Sequence, residues 1–541
     1  MPGDYLLRGG LVADGSGSPA VPADVALSNG RIAPPGTVDP REAQVIDVSG
    51  LVVSPGFIDV HTHSDATVLD APGTMPPPDL VLAAARQGVT TEIAGNCGYS
   101  LFPSAQADAH ADGLRDFCTA LLGPAGNPVP GINGFAARHN GAGRVNNIAS
   151  LLGHSTLRAA VMGFSQREAT AEETDRLCRL LDEALDAGAV GWSSGLIYPP
   201  GTFAGTAELI ALGKVSARHR APYVTHLRDE MSRVEEALDE ALQISRQSGT
   251  ALHVSHHKTA GKYATGKSAT TLAMMDEARL QGLDVTCDVY PYVAGSTSLH
   301  AMLPPWASDG GFRALLTRLA DPGQRDRMRA SIEDGEPGWE NTIGNGGWDR
   351  IDVAGAPKHP GIEGHSITAL AARAGLDPVD YVADLLLAES GAVTIISHSM
   401  DEADMQRVLA HPGTMIGSDG VPKDGKPHPR WAGTFARVLG RYVRELGLLS
   451  LEDAVRRMTM LPAQRFGLAG RGSLAPGSAA DVVVFDPATV ADQATFTDPL
   501  RAPLGIQHVF VAGREILHAQ RLTGAAPGAA VLREPVPARR K

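Results

Sequence analysis

Several apolar stretches of this chain end in side chains that bind metals or move protons. Pro55-Gly56-Phe57-Ile58-Asp59-Val60-His61-Thr62-His63 closes in His-x-His. In a strand, residues i and i+2 face the same way, so both imidazoles can meet one ion. Neutral imidazole is a common zinc ligand. Ala94-Gly95-Asn96-Cys97-Gly98-Tyr99 sets a cysteine between glycines, just after the apolar Thr90–Ala94. Such a sulfur suits a metal, a nucleophile paired with a histidine, or a small buried hydrophobe. Tyr223-Val224-Thr225-His226 again ends in histidine, and Thr414-Met415-Ile416-Gly417-Ser418-Asp419 ends in aspartate. In Leu252-His253-Val254-Ser255-His256-His257-Lys258, alternation puts His253 and His257 on one face and His256 on the other. Periodicity does not choose between His256 and His257. A lone strand-end histidine is most often a hydrogen-bonded structural residue. Five such ends along one chain point instead to a shared metal centre.

The elements that must position these residues alternate in type. Phe57–His61, Thr90–Ala94, Asn147–Leu152, Val190–Trp192, Pro222–Thr225, Ala251–Ser255, Asp284–Val289 and Thr414–Gly417 read as strands. Helical stretches such as Ala171–Ala187, Ser232–Gln247 and Thr270–Gln281 separate several of them. That rhythm predicts an α/β fold with a (β/α)8 TIM-like barrel, whose active sites are built at the C-terminal ends of the strands. Val393–Ser397 is a ninth strand candidate. Residues 291–360 break the rhythm with Gly and Pro and are expected to form an insertion, a lid over one face.

The two ends of the chain look alike. Short apolar runs surround the Asn29-Gly30 hairpin signal, and Asp481–Phe485 and His508–Val511 read as strands near the other end. We therefore expect one small β-sandwich domain made from residues 1–54 and 471–522. It would flank a barrel over 55–470, with 523–541 as a loosely held tail.

Composition narrows the class. The chain has 541 residues, with 47 Lys+Arg against 60 Asp+Glu and a net charge of -13. Net acidity disfavours a nucleic-acid surface, and the Arg539-Arg540-Lys541 end is too short to change that. No apolar run approaches the roughly 20 residues of a membrane span. Met1-Pro2-Gly3-Asp4 opens no secretory signal, so a cytoplasmic location is expected. The four cysteines, Cys97, Cys118, Cys178 and Cys287, form no C-x-x-C pair and argue against a disulfide framework.

Together with these segments, Ser193-Ser194-Gly195-Leu196-Ile197-Tyr198-Pro199-Pro200, Asp288-Val289-Tyr290-Pro291-Tyr292 and His428-Pro429-Arg430 with Gly433-Thr434-Phe435 carry a resemblance. The chain resembles the amidohydrolase superfamily over nearly its whole length, and within it the N-acyl-D-amino-acid deacylases (D-aminoacylases). The Cys97 segment is the specific part. The resemblance implies zinc-dependent hydrolysis of a small-molecule N-acyl amino acid, and the D hand comes from it alone. It implies a tight Zn2+ site at Cys97, His226 and His256, choosing His256 over His257. A second, weaker site would use His61, His63 and Asp419, with Asp419 also the proton shuttle. Lys258, Tyr290, Ser296 and Arg430 would grip the substrate carboxylate. His398 has no role in that scheme and is read as structural. Three alternatives compete. A cyclic amide hydrolase would bridge two metals with a carboxylated lysine after the fourth strand, and Gly191–Gly195 holds no lysine. A non-catalytic scaffold would be expected to lack some of the ligand residues. A cysteine-nucleophile amidase would resist chelators and be killed by alkylation.

Overall fold

The computed structural model describes residues 3–67, 78–122 and 127–534. Its centre is a ring of parallel strands: β1 (Phe57–Asp59), β2 (Val89–Ala94), β3 (Asn147–Ser150, continued by Leu152–Gly153), β4 (Trp192–Gly195), β5 (Tyr223–His226), β6 (Leu252–Val254), β7 (Val285–Val289) and β8 (Thr414–Ile416). Neighbours pair in that order, and a parallel bridge between Thr62 and Gly420 joins the ends of β8 and β1. The strands read as near-continuous apolar runs because both faces are covered. Ile58, Ile93, Ala149, Val224 and Met415 pack in one cluster with Phe466 of the helix Met460–Phe466. Phe57, Val89, Leu152, Trp192 and Tyr223 pack in another, with the surrounding helices. These helices carry clear sequence signals. Thr170 and Glu173 form a capping box at the start of Ala171–Asp186, and Gly249 takes a left-handed conformation to end Val234–Ser248.

Among the described residues, strands from the first 55 residues and from residues 482–522 join in a single nine-stranded sheet. Val52–Pro55 pairs antiparallel with Val482–Phe485, which joins the N-terminal strands to the C-terminal ones. One side of this sheet has its own core of Leu7, Val25, Leu27, Val53, Val482 and Phe510.

Four sequence expectations differ from the structure. Thr394–Ser397 is no barrel strand; it lies between Gly295–Ser298 and Ile351–Gly355 in a separate antiparallel sheet. The inserted unit therefore reaches past residue 360, because its core runs from Leu299 through Trp306, Leu319 and Val382 to Ile395. Composition marked only its Gly/Pro-rich first half. The fourth barrel strand is Trp192–Gly195, shifted toward the C-terminus from Val190–Trp192. Finally, the described part of the tail is docked. Ile148 donates to Ala529, Val531 to Ile148, and Arg533 to Gly188 along the backbone. The small residues there permit close approach: a Cβ on Gly528 would lie 2.2 Å from the Asn146 carbonyl oxygen. Residues 535–541, including Arg539, Arg540 and Lys541, lie outside the described residues. No described helix is long and apolar enough to cross a membrane.

Candidate active site

The C-terminal ends of the barrel strands surround a cavity of about 970 Å³, counting space open to solvent. Val224 points into the barrel interior, so His226, two residues on, does too. Three other metal-type side chains arrive by breaking strand geometry. Cys97, His256 and Asp419 all have positive φ, at 52°, 34° and 50°. For non-glycine residues this left-handed backbone is uncommon and clusters at functional sites. Gly95 and Gly98, both left-handed, flank Cys97, and a Cβ on Gly95 would lie 2.2 Å from the Leu151 carbonyl oxygen.

The donor atoms converge. Cys97 Sγ lies 3.4 Å from His256 Nε2, 3.9 Å from His226 Nδ1 and 3.4 Å from His61 Nε2. His226 Nδ1 and His256 Nε2 are 2.9 Å apart. Zinc bonds of about 2.3 Å to sulfur and 2.0–2.1 Å to nitrogen set tetrahedral edges of roughly 3.4–3.6 Å. The Cys97–His226–His256 triangle is close to that scale and offers one thiolate and two imidazoles, so its chemistry fits zinc. A second group joins it: Asp419 Oδ1 lies 3.5 Å from His61 Nε2 and 3.3 Å from His63 Nε2. The Nδ1 of His63 is buried with no hydrogen-bond partner among the described residues.

Electrostatics match a cation site. Burial alone would raise the Cys97 thiol, but His61 and His256, with hydrogen bonds from His226 and His256, hold it well below the usual range. Burial would also raise Asp419; Arg430, His61 and His256 outweigh it and keep the carboxyl well below the ordinary value. His256 is driven up to about 9: burial and Lys258 oppose the proton, but Glu230, Cys97 and Asp419 hold it. Two anions thus sit among four imidazoles, of which burial holds His226 down.

Around this cluster stand the other sequence candidates. Arg430 Nη1 is 2.8 Å from Asp419 Oδ2, and its guanidinium lies 4.6 Å from the Tyr290 ring centre. Its Nε is buried with no hydrogen-bond partner among the described residues, and its Nη2 donates to the Ser296 carbonyl at 3.2 Å. Arg430 and Ser296 line a smaller adjoining cavity, while Lys258, Tyr290 and Ser296 line the main one. His257 turns away, with Nε2 2.9 Å from Thr271 Oγ1. His398 pairs with Asp352 at 3.0 Å and does not line the cavity.

The sequence reading missed the carboxylates that orient this shell. Glu230 accepts from Lys258 Nζ at 2.7 and 2.8 Å and lies 3.1 Å from His256 Nδ1. Asp288 accepts from the His256 backbone N–H at 3.0 Å and lies 2.9 Å from His253 Nε2. Glu340, from the inserted unit, accepts from the Glu230 backbone N–H at 2.5 Å, and burial with nearby Glu230 and Asp229 pushes its own carboxyl up to about 8. Tyr99, Tyr198 and Met302 add an apolar wall to the cavity. Isolated acids and aromatics carry no spacing signal that separates them from surface or core. For Glu230, its place four residues after His226 was a usable hint.

Residues 44–517 match the amidohydrolase family. The chain is 40% identical to a D-aminoacylase of Alcaligenes xylosoxydans xylosoxydans, covering 98% of each chain. It is 40% identical to an N-acyl-D-glutamate deacylase of the same organism, covering 94% of this chain and 93% of that one. Its structure is similar to that of an N-acyl-D-glutamate deacylase from Bordetella bronchiseptica, complexed with zinc and a phosphonate mimic of the tetrahedral intermediate. The TM-score is 0.82 at 38% identity, over 99% of this chain and 100% of that one. Given a family match over most of its length and relatives similar from end to end, this chain belongs to the amidohydrolase family, in the group that holds the D-aminoacylases.

Proposed function

We infer that this protein is a zinc-dependent hydrolase that cleaves the amide bond of N-acyl-D-amino acids, giving a carboxylate and a free D-amino acid. The observation that carries the reading is one barrel mouth holding a thiolate–bis-imidazole triangle and, beside it, a carboxylate paired with a buried arginine. End-to-end similarity to D-amino-acid deacylases supports the linear amide and the D hand over a cyclic amide. A lysine-free β4 agrees.

In this reading Cys97, His226 and His256 hold the tight zinc, and His61, His63 and Asp419 offer a second, weaker position. Zinc in such a site would supply Lewis acidity, polarising the carbonyl and lowering the pKa of a bound water toward neutrality. Asp419 takes the proton of the attacking water on its carboxylate and delivers it to the leaving nitrogen, as general base and then general acid. Arg430 binds the substrate α-carboxylate through two N–H groups, with Lys258, Tyr290 and Ser296 around it. Because Arg430 also neutralises Asp419, the arriving carboxylate draws on the same guanidinium. That loosens the hold on Asp419 and raises its proton affinity at the moment it must accept a proton. Glu230 and Lys258 both face His256 Nδ1, at 3.1 and 2.8 Å, and an Nδ1–H held by Glu230 would leave Nε2 for the metal. The division into a two-ended β domain, a barrel and an inserted unit, and a cytoplasmic location, complete the proposal.

A screen of N-acetyl-D- and N-acetyl-L-amino acids, after chelation and with zinc restored, tests the function. Turnover of the D series alone, dependent on zinc, is expected; equal turnover of both hands would reject the stereochemical part. Arg430→Ala is expected to raise KM about 10²-fold, the scale of losing one partner of a buried charge pair, with zinc content unchanged. An unaltered KM would reject the carboxylate clamp. Glu230→Gln is expected to weaken zinc binding by about 10–100-fold in competition with a chelator; wild-type affinity would remove Glu230 from the metal's support.

A further inference from the structure

A second group of metal-type side chains stands in the terminal sheet, formed by residues that do not line the barrel cavity. His508 lies on the strand Ile506–Val511, and Glu515 and His518 lie on its antiparallel neighbour Arg514–His518. His508 and His518 are direct cross-strand partners. In a regular strand Glu515 and His518, three residues apart, would face opposite ways. Here the register slips between Val509/Leu517 and Phe510/Glu515, leaving Ile516 as the extra residue, and the bulge returns Glu515 to the histidine face.

All three side chains then meet. Glu515 Oε1 is 2.7 Å from His508 Nδ1 and 2.9 Å from His518 Nδ1, and the three ligand atoms lie within 4.8 Å of one another. The carboxylate is nearly covered, with 8% of its side chain exposed, and His508 keeps 11%. His518 is 54% exposed, which leaves one side of the group open to solvent. Burial would raise the Glu515 carboxyl, but the two histidines hold it below its ordinary value, so it is an anion. Other groups near it are the Tyr5 hydroxyl and Arg514, the latter its neighbour in sequence.

We propose that His508, Glu515 and His518 form a separate binding site for a divalent transition-metal cation, with Zn2+ the best match. Two imidazoles and one carboxylate are a zinc ligand set that keeps a fourth position for water. Two nitrogens among three donors disfavour calcium and magnesium, which take oxygen ligands. One cation held by the three side chains would tie the two strands together across the bulge.

Equilibrium dialysis of the full-length enzyme against low-micromolar free Zn2+ at neutral pH, with elemental analysis, tests the site. Wild type is expected to bind one more zinc per chain than His518→Ala or Glu515→Gln, with deacylase turnover the same in all three. His518 is exposed, so its replacement leaves the fold intact even where Glu515→Gln destabilises the sheet. Zinc should also raise Tm more in wild type than in His518→Ala. Equal zinc stoichiometry in wild type and His518→Ala would overturn the site. The comparison reads only this difference, so it holds whatever the barrel cluster binds or catalyses.

Discussion

Replacing Asp419 by asparagine is expected to lower kcat by about 10³-fold while the tightly held zinc stays in place. Asparagine keeps the size and one oxygen of the aspartate but cannot take up a proton. General acid–base catalysis by one positioned group is worth about 10²–10⁴-fold, or roughly 3–5 kcal/mol of barrier. The tight triangle of Cys97, His226 and His256 does not include Asp419, so its zinc should remain near one equivalent. The second cluster, through His61, does include it. Added zinc should therefore load that position less well in the variant. Arg430 loses its anionic partner as well. Its freed charge is expected to hold the substrate carboxylate at least as tightly, so KM should stay level or fall while kcat collapses. The measurement is steady-state kinetics on an N-acetyl-D-amino acid alongside metal analysis of the same sample. Near-normal turnover with full zinc would remove Asp419 from proton transfer.

The types of these residues were legible because a parallel barrel puts chemistry at strand C-termini. A strand ending in His, Cys or Asp announces itself in a linear sequence. Most barrel strands were legible as apolar runs buried on both faces, whereas the fourth, Trp192–Gly195, was placed too early because Ser193, Ser194 and Gly195 are not apolar. The choice between His256 and His257 was not, because it depends on a left-handed backbone at His256 that period-two alternation does not describe. Glu230 was missed since a lone acid reads as a solvated charge until folding buries it beside a cation or an imidazole, and Asp288, though inside a predicted strand, showed no partner in the sequence. The extent of the inserted unit was hidden in non-local pairing: Thr394–Ser397 looks like any apolar strand, and only its partners, about 100 and 40 residues earlier, remove it from the barrel. Glu340 enters the site by the same route, carried by the segment whose composition suggested a lid over one face.

Cys97→Ala should abolish both zinc retention and turnover, and the two losses together decide what the thiolate does. Cys97 Sγ is buried, within 3.9 Å of three imidazoles, and strongly favoured as a thiolate. Those properties suit a metal ligand and a nucleophile equally well, so acidity alone does not choose. Location does: His226 and His256 approach the sulfur together and each other to 2.9 Å, the arrangement of a coordination triangle and not of one base aimed at one nucleophile. A structural zinc set contributes on the order of 10 kcal/mol of binding. Removing one of three protein ligands should leave less than about a tenth of an equivalent after dialysis and reduce turnover by at least about 10³-fold. The nucleophile reading predicts a different pattern in the unmutated enzyme. Chelation would then leave activity intact, and iodoacetamide would destroy it with zinc present. If Cys97 is a ligand, chelation removes activity and zinc restores it. Bound zinc also shields the sulfur, so alkylation of Cys97 should be fast only in the stripped enzyme. Peptide mapping of the alkylated sites, with and without zinc, reads that protection directly. Chelator-resistant turnover, or alkylation of Cys97 at equal rates in both states, would make the sulfur a nucleophile and dismantle the zinc mechanism.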